Sequence, residues 1–403
     1  MKLRSLLKKH HSIFVAISFF IITFIVYFIT GEEQPTPYNN FVRLADAFLH
    51  GRLHLTENVK WLELALVDGR YYVVPPPMPA ILLLPLVAFF GLSTNQTIAS
   101  VFLGSLNVSL AFLVARELSK NRSIQLWATA MFGFGTIHWW LAATGSVWLF
   151  SQVTSVTFLL LAIYATLRNK HLFLVGILLG ASFWSRLPTV FSLPFFIVMF
   201  VDKWIENPNG APVISRIKVK PLIHLGLGLS IFVFLNFLYN YLRFSTPLDV
   251  SYYLIPGVLE EIWYREGIFD ISYIPRHLKA MFWEFPIFLS APPYVMPSWS
   301  GLAIWITTPA FIYALFAGIR NRLALGCWLS IIPIALVLFM HGTWGFSQFG
   351  YRFAVDFYPF LYLLTVKGMG DRIRWHHRIL ITLGVLVNLC GVLWVNKFGW
   401  VRY

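Results

Sequence analysis

Residues 1–33 read MKLRSLLKKHHSIFVAISFFIITFIVYFITGEE, and this stretch decides the class of the molecule. Lys2, Arg4, Lys8 and Lys9 stand before an uncharged apolar run from about Ser12 to Thr30, which Gly31, Glu32 and Glu33 close. About 19 apolar residues suffice to cross the hydrocarbon core of a bilayer. A cleaved leader has a shorter core and a small-residue cleavage site, so this run is expected to remain as a first span. Basic residues stay on the cytoplasmic side of a span, which puts the N-terminus in the cytoplasm.

The rest of the chain repeats that pattern. Of its 403 residues, 58% are hydrophobic, 18% aromatic and only 12% charged, with a mean hydropathy of +0.69. Soluble domains carry about 25% charged residues, so a soluble enzyme, a disordered chain and a disulfide scaffold are all excluded. The 2 cysteines, Cys327 and Cys390, both lie in apolar runs. Further spans are expected near 97–115, 124–141, 146–167, 172–185, 188–202, 222–241, 300–319, 323–341, 354–368 and 379–396. With the first, these predict an all-α polytopic protein of about 11 transmembrane helices. It reads as one membrane domain, 1–403, with a first outer loop at 31–96 and a second at 243–299. Met78–Gly91 is apolar but short and Pro-rich, so it is expected to lie at the interface or re-enter.

Charge supports that exclusion. If Met78–Gly91 does not cross, RELSKNR (116–122), RNK (168–170) and RIRWHHR (372–378) all face the cytoplasm, as the positive-inside rule demands. Nineteen of the 31 Lys and Arg then lie inside, and thirteen of the 17 Asp and Glu lie outside. The net charge of +14 is therefore a topology signal rather than a nucleic-acid surface. In the first loop, Phe41, Leu44, Ala45, Phe48 and Leu49 of FVRLADAFLHG recur at helical spacing, the stripe of an amphipathic helix lying on the bilayer.

The spans hold few polar groups: His138, Gln152, His224, Asn236 and Asn388. Pumps and ion-coupled transporters need ionisable groups near mid-membrane, so polar chemistry is expected at the outer boundary instead. Among the outer acids, Glu63 stands between Leu62 and Leu64 beside Trp61, where an apolar setting raises a carboxyl pKa and suits a general base. Glu33, just past the first span, is the second choice. Asp68 in Val-Asp-Gly-Arg reads as a turn residue, and Asp46 as the polar face of its helix. Phosphate favours planar bidentate donors. Arg70 with Tyr72, Arg186 in FWSRLPT, and Gln348 and Arg352 in WGFSQFGYRFAVDFYPF sit at one membrane level and are the expected anion-binding set. Arg352 and Asp356, at i and i+4, also form a possible local pair. Trp140 and Trp148 flank an outer turn, as belt residues or as a wall for sugar or prenyl chain. No metal-ligand spacing occurs and no cofactor is expected; a single carboxylate-bound divalent ion stays open.

At these residues the chain resembles the GT-C superfamily of membrane glycosyltransferases, the group that includes protein mannosyltransferases and aminoarabinose transferases. FVRLADAFLHGRLHL with DGRYYVVPPPMPAILLLPLVAFFG is similar to the family's first loop and its proline-led juxtamembrane helix. FWSRLPTVFSLPF and GYRFAVDFYPFLYLL resemble its later outer-face segments. NYLRFSTPLDVSYY is similar to a turn segment of bacterial relatives, with Ser245 in place of the usual Gly. The family's aspartate would fall at Thr36–Tyr38, where no acid stands, and its lysine at Val74. The resemblance implies transfer of a sugar from a polyprenyl-phosphate donor to a lipid, glycan or protein acceptor outside a bacterial plasma membrane. It also implies inversion at the anomeric carbon, with Glu63 or Glu33 as base. The competing readings are a translocase for lipid-linked substrates and a non-catalytic envelope subunit.

Overall fold

The first apolar run folds as α1 (Lys2–Thr30), a helix with only Thr, Ser and apolar side chains over its lipid-length segment. The computed structural model describes residues 2–204 and 218–399. Glu206 and Arg216 of the 203–220 loop lie outside the described residues, as do the side chains of the basic cluster ahead of Ser12.

After α1 the chain forms α2 (Asn40–Leu49), the hairpin β1 (Leu64–Val67) and β2 (Arg70–Val73), and α3 (Met78–Phe90). The bundle follows as α4 (Gln96–Leu118), α5 (Arg122–Phe134), α6 (His138–Thr144), α7 (Val147–Leu167), α8 (Leu172–Phe183), α9 (Leu193–Met199), α10 (Val201–Trp204) and α11 (Val219–Phe244). A second long loop carries α12 (Ile274–Phe282) and a short pair, β3 (Ile287–Phe288) and β4 (Val295–Met296). The chain then completes the bundle with α13 (Ile304–Thr307), α14 (Arg322–Phe339), α15 (Tyr358–Gly368) and α16 (Trp375–Asn396).

Helix starts follow capping chemistry. Asn95, Asn121 and Asn321 each precede a helix and accept its first free N–H groups through their side-chain oxygens. Helical segments occupy most of each expected span, and among the described residues six helices are long and apolar enough to cross unaided: Ser12–Thr30, Gln96–Leu118, Val147–Leu167, Val219–Phe244, Arg322–Phe339 and Trp375–Asn396. The others are short, as Leu172–Phe183 is, or broken. Gly135 to Ile137 separate α5 from α6, Pro188 and Pro194 open 3-10 and α segments at 187–199, and 309–317 is a 3-10 turn. The protein is an integral membrane protein with this helical bundle as its body. α3 holds 13 residues with Pro85 inside, about 20 Å of helix, too short to cross.

α2 departs from the expectation of a helix lying bare on the bilayer. Phe41, Val42, Leu44, Ala45 and Ala47 are buried in a second core with Val59, Leu62, Leu64, Ala80, Leu83, Val147 and Phe150, while Leu49 is exposed. The apolar face meets protein because α3 and α7 occupy the place that lipid was expected to fill.

The hairpin next to α2 sets the position of Glu63. Asp68 (φ 49°) and Gly69 (φ 72°) make the two-residue reversal between Val67 and Arg70, where both turn residues need positive φ. Strand side chains alternate. Leu62 and Leu64 therefore point into the α2 core, whereas Ala65 packs with Tyr72, Val74, Tyr252, Leu254 and Ile255 of the second loop. Glu63, two residues before Ala65, shares that second face. The two long loops thus meet on one end of the bundle with Glu63 at their junction.

Candidate active site

α7 begins beside this junction. Trp148, in its first turn, donates its indole N–H to Glu63 Oε2 at 3.2 Å. The Arg352 guanidinium carbon lies 5.7 Å from the centre of the same indole ring. Trp148 therefore holds a carboxylate at its edge and a cation near its face. Glu63 is exposed to solvent at its rim although protein atoms surround much of its carboxyl. Its carboxyl is pushed above the usual range, first by burial. The Trp148 N–H and the Arg352 charge oppose that shift, and Glu261 adds to it. Burial and then the neighbouring Arg186 charge bring the Arg352 guanidinium down to about 10, so it stays a cation at neutral pH.

A buried polar frame holds Arg352 in place. Gln348 is fully buried. Its amide N–H groups donate to the Ser300 and Trp344 carbonyls, and its Oε1 accepts from the Arg352 backbone N–H at 3.0 Å. Gln152, one turn along α7 from Trp148, donates to the Arg352 carbonyl at 2.8 Å and to Asp356 Oδ1 at 3.2 Å. Asp356 is buried and pairs with Arg186, through Nη2 at 2.8 Å and Nε at 3.0 Å to Oδ2. The i, i+4 pairing of Arg352 with Asp356 does not form, because Arg186 takes the carboxylate. Among the described residues, no carboxylate pairs with Arg352, and its Nε has no hydrogen-bond partner. One guanidinium is thus neutralised by a buried carboxylate, and the other has no carboxylate partner among the described residues. Gly345, at φ 84°, lets the guanidinium approach: a Cβ there would stand 2.8 Å from both Arg352 Nε and Gln348 Oε1.

Tyr252 of the second loop completes the site. Its ring meets His341 edge-to-face at 5.3 Å, and Ser251 beside it is fixed by Asp249 and the Val74 carbonyl. Burial, then the Glu63 charge, raise the Tyr252 phenol, while Arg186 and Arg352 pull it down. Burial lowers His341 to about 4, so it is neutral beneath these cations.

Of the residues expected from sequence, the structure brings together Glu63, Trp148, Arg186, Gln348 and Arg352. It leaves the others elsewhere. Glu33 is exposed beyond the end of α1. Arg70 is exposed at the hairpin turn, where its charge acts on His54. Tyr72 is a core residue, edge-on to Phe244 at 5.5 Å, and Trp140 is buried in the bundle. Tyr252 and Glu261 were not singled out in the sequence, although Tyr252 is the penultimate residue of the segment NYLRFSTPLDVSYY. The described residues contain no group of three or more His, Cys, Asp or Glu side chains arranged for a metal.

No family model and no curated protein sequence matches the chain. Solved structures do. ArnT from Cupriavidus metallidurans, bound to undecaprenyl phosphate, matches with a TM-score of 0.55 at 13% identity, over 94% of this chain and 64% of that one. This chain shares the fold of that ArnT structure. The oligosaccharyltransferase of Archaeoglobus fulgidus, tethered to an acceptor peptide with an NVT sequon, matches with a TM-score of 0.50 at 11% identity, over 97% of this chain and 55% of that one. The chain thus spans less than two thirds of the length of either structure. In this shared fold Glu63, Trp148 and Arg352 lie where both long loops converge.

Proposed function

We propose that this chain is a glycosyltransferase that moves a sugar from a polyprenyl-phosphate donor to an acceptor nucleophile at the extracytoplasmic face. The observation that carries this reading is the pairing, across one indole, of a solvent-accessible carboxylate of raised pKa with a guanidinium that forms no ion pair among the described residues. In the proposed step Glu63 takes the proton of the acceptor hydroxyl, and the acceptor oxygen attacks the anomeric carbon. The bond from that carbon to the phosphate oxygen breaks on the opposite side, so the configuration inverts. The electron pair goes to the lipid phosphate, whose growing charge Arg352 stabilises. Arg186, already paired with Asp356, holds the frame and adds a weaker field. The GT-C fold supports the reading, because the ArnT structure that shares it holds undecaprenyl phosphate. The positive-inside bias supports an extracytoplasmic site.

The test is transfer from polyprenyl-phosphate sugars by the purified protein in lipid. Glu63→Gln is expected to lower kcat by about 100-fold or more, the usual worth of a positioned base, with donor binding little changed. Full turnover by Glu63→Gln would remove Glu63 from the mechanism.

A further inference from the structure

The second loop was expected to be an aqueous segment up to Ser300, yet no charged residue or histidine occurs from Phe285 to Ile319. Within that stretch the β3–β4 pair forms an excursion closed at its base. The Ala303 N–H donates to the Glu284 carbonyl at 2.9 Å, and the Trp305 indole to the Phe282 carbonyl at 2.8 Å. Glu284, the nearest charge, is tied down there by the Ser298 hydroxyl at 3.0 Å and lies 3.9 Å from Lys279. Beyond this base the side chains are apolar and bare: Phe288 is 76% exposed, Trp283 63%, Tyr294 58% and Phe285 55%. The β1–β2 hairpin of the same face has the opposite chemistry, ending in Asp68 and Arg70.

We propose that residues 283–303 insert this aromatic tip into the bilayer interface and so anchor the active-site frame at headgroup level. Three observations select lipid as the occupant. Trp283, Trp299, Trp305 and Tyr294 are the residue types that settle at the membrane–water boundary. Further along the same uncharged stretch, Ile312, Leu315 and Phe316 are also apolar and exposed. From Phe285 to Ala303 no charged side chain stands to oppose insertion. The base of the excursion is joined to the Arg352 segment. Gln348 donates to the Ser300 carbonyl at 2.7 Å, Leu302 N–H to the Phe349 carbonyl at 3.0 Å and Tyr351 N–H to the Leu302 carbonyl at 3.3 Å. Insertion therefore fixes the height of Arg352 relative to the lipid phosphates.

The test uses the full chain in phosphatidylcholine–phosphatidylglycerol vesicles. Exposed Cys390 is changed to Ser, and buried Cys327 is left in place. Single cysteines introduced as Phe288→Cys, Phe316→Cys and Asp68→Cys carry a bimane label. The label at Phe288 is expected to be quenched by brominated phosphatidylcholine at least half as strongly as the label at Phe316. It is also expected to be quenched by aqueous iodide at least threefold less than the label at Asp68. Failure of either criterion overturns the proposal, including protection from both quenchers by another protein surface. The readout does not involve sugar transfer, so it stands or falls independently of the proposed reaction.

Discussion

At residue 63 the decisive quantity is the balance of fields on one carboxyl. Burial raises its pKa, while the Trp148 N–H and Arg352 restrain it. If the ionised form is the base, activity rises as pH passes that pKa. Arg352→Met removes a field that favours ionisation, so the acid limb of the kcat/KM profile moves to higher pH. Glu261→Gln removes one that opposes it, so the limb moves to lower pH. Shifts in the reverse directions would show that a different group titrates. Asp356 gives a separate prediction in stability. Asp356→Asn leaves Arg186 without its buried partner and is expected to cost about 3 kcal/mol, read as a lowered melting temperature in detergent. Glu63 was legible in the sequence because a lone acid within an apolar run is a local pattern. Tyr252 was not, because it reaches Glu63 only through the docking of two loops that lie far apart in sequence. The place of Arg186 was not legible, because its capture by Asp356 depends on the packing of 3-10 turns at 187–192 and 352–357.

At the level of elements, two turns position the chemistry. The β1–β2 reversal needs positive φ at Gly69, and nothing crowds a Cβ there, so Gly69→Ala isolates the backbone cost of about 1 kcal/mol. Its expected effect is a modest loss of stability with Glu63 still in place. Gly345→Ala differs, because its Cβ would also press on Arg352 Nε and Gln348 Oε1. It is expected to raise the KM for the donor by more than Gly69→Ala does; equal effects would mean that the Gly345 approach does not position Arg352. The hairpin turn was legible from Asp-Gly. The amphipathic stripe of α2 was legible as a helix but not in its partner, since a stripe states that a face is buried and not whether lipid or protein buries it. The broken spans were the least legible. An apolar run inside a bundle can be cut by Gly135 or Pro194 and still lie in a buried environment, so composition overstates helix length.

Across the whole molecule, charge partition and the loop-bearing face belong to one account. With the basic loops inside, an introduced cysteine at Asp68 is expected to react with a membrane-impermeant maleimide in intact cells, and one at Arg168 only after permeabilisation. The reverse pattern would invert the orientation and move the site to the cytoplasm. The fold class was legible from composition alone, since 12% charge cannot clothe a soluble body of 403 residues. The site was not legible as a cluster, because convergence of Glu63, Trp148, Arg186 and Arg352 is a product of the tertiary fold.

The central claim is that Glu63 and Arg352 act as a unit on the sugar–phosphate bond. A double-mutant cycle tests it most directly, with transfer measured for Glu63→Gln, Arg352→Met and the pair. Residues serving one transition state are strongly non-additive. The double variant is expected to fall within about threefold of the weaker single variant. Losses that multiply, or near-full activity in either single variant, would contradict the account.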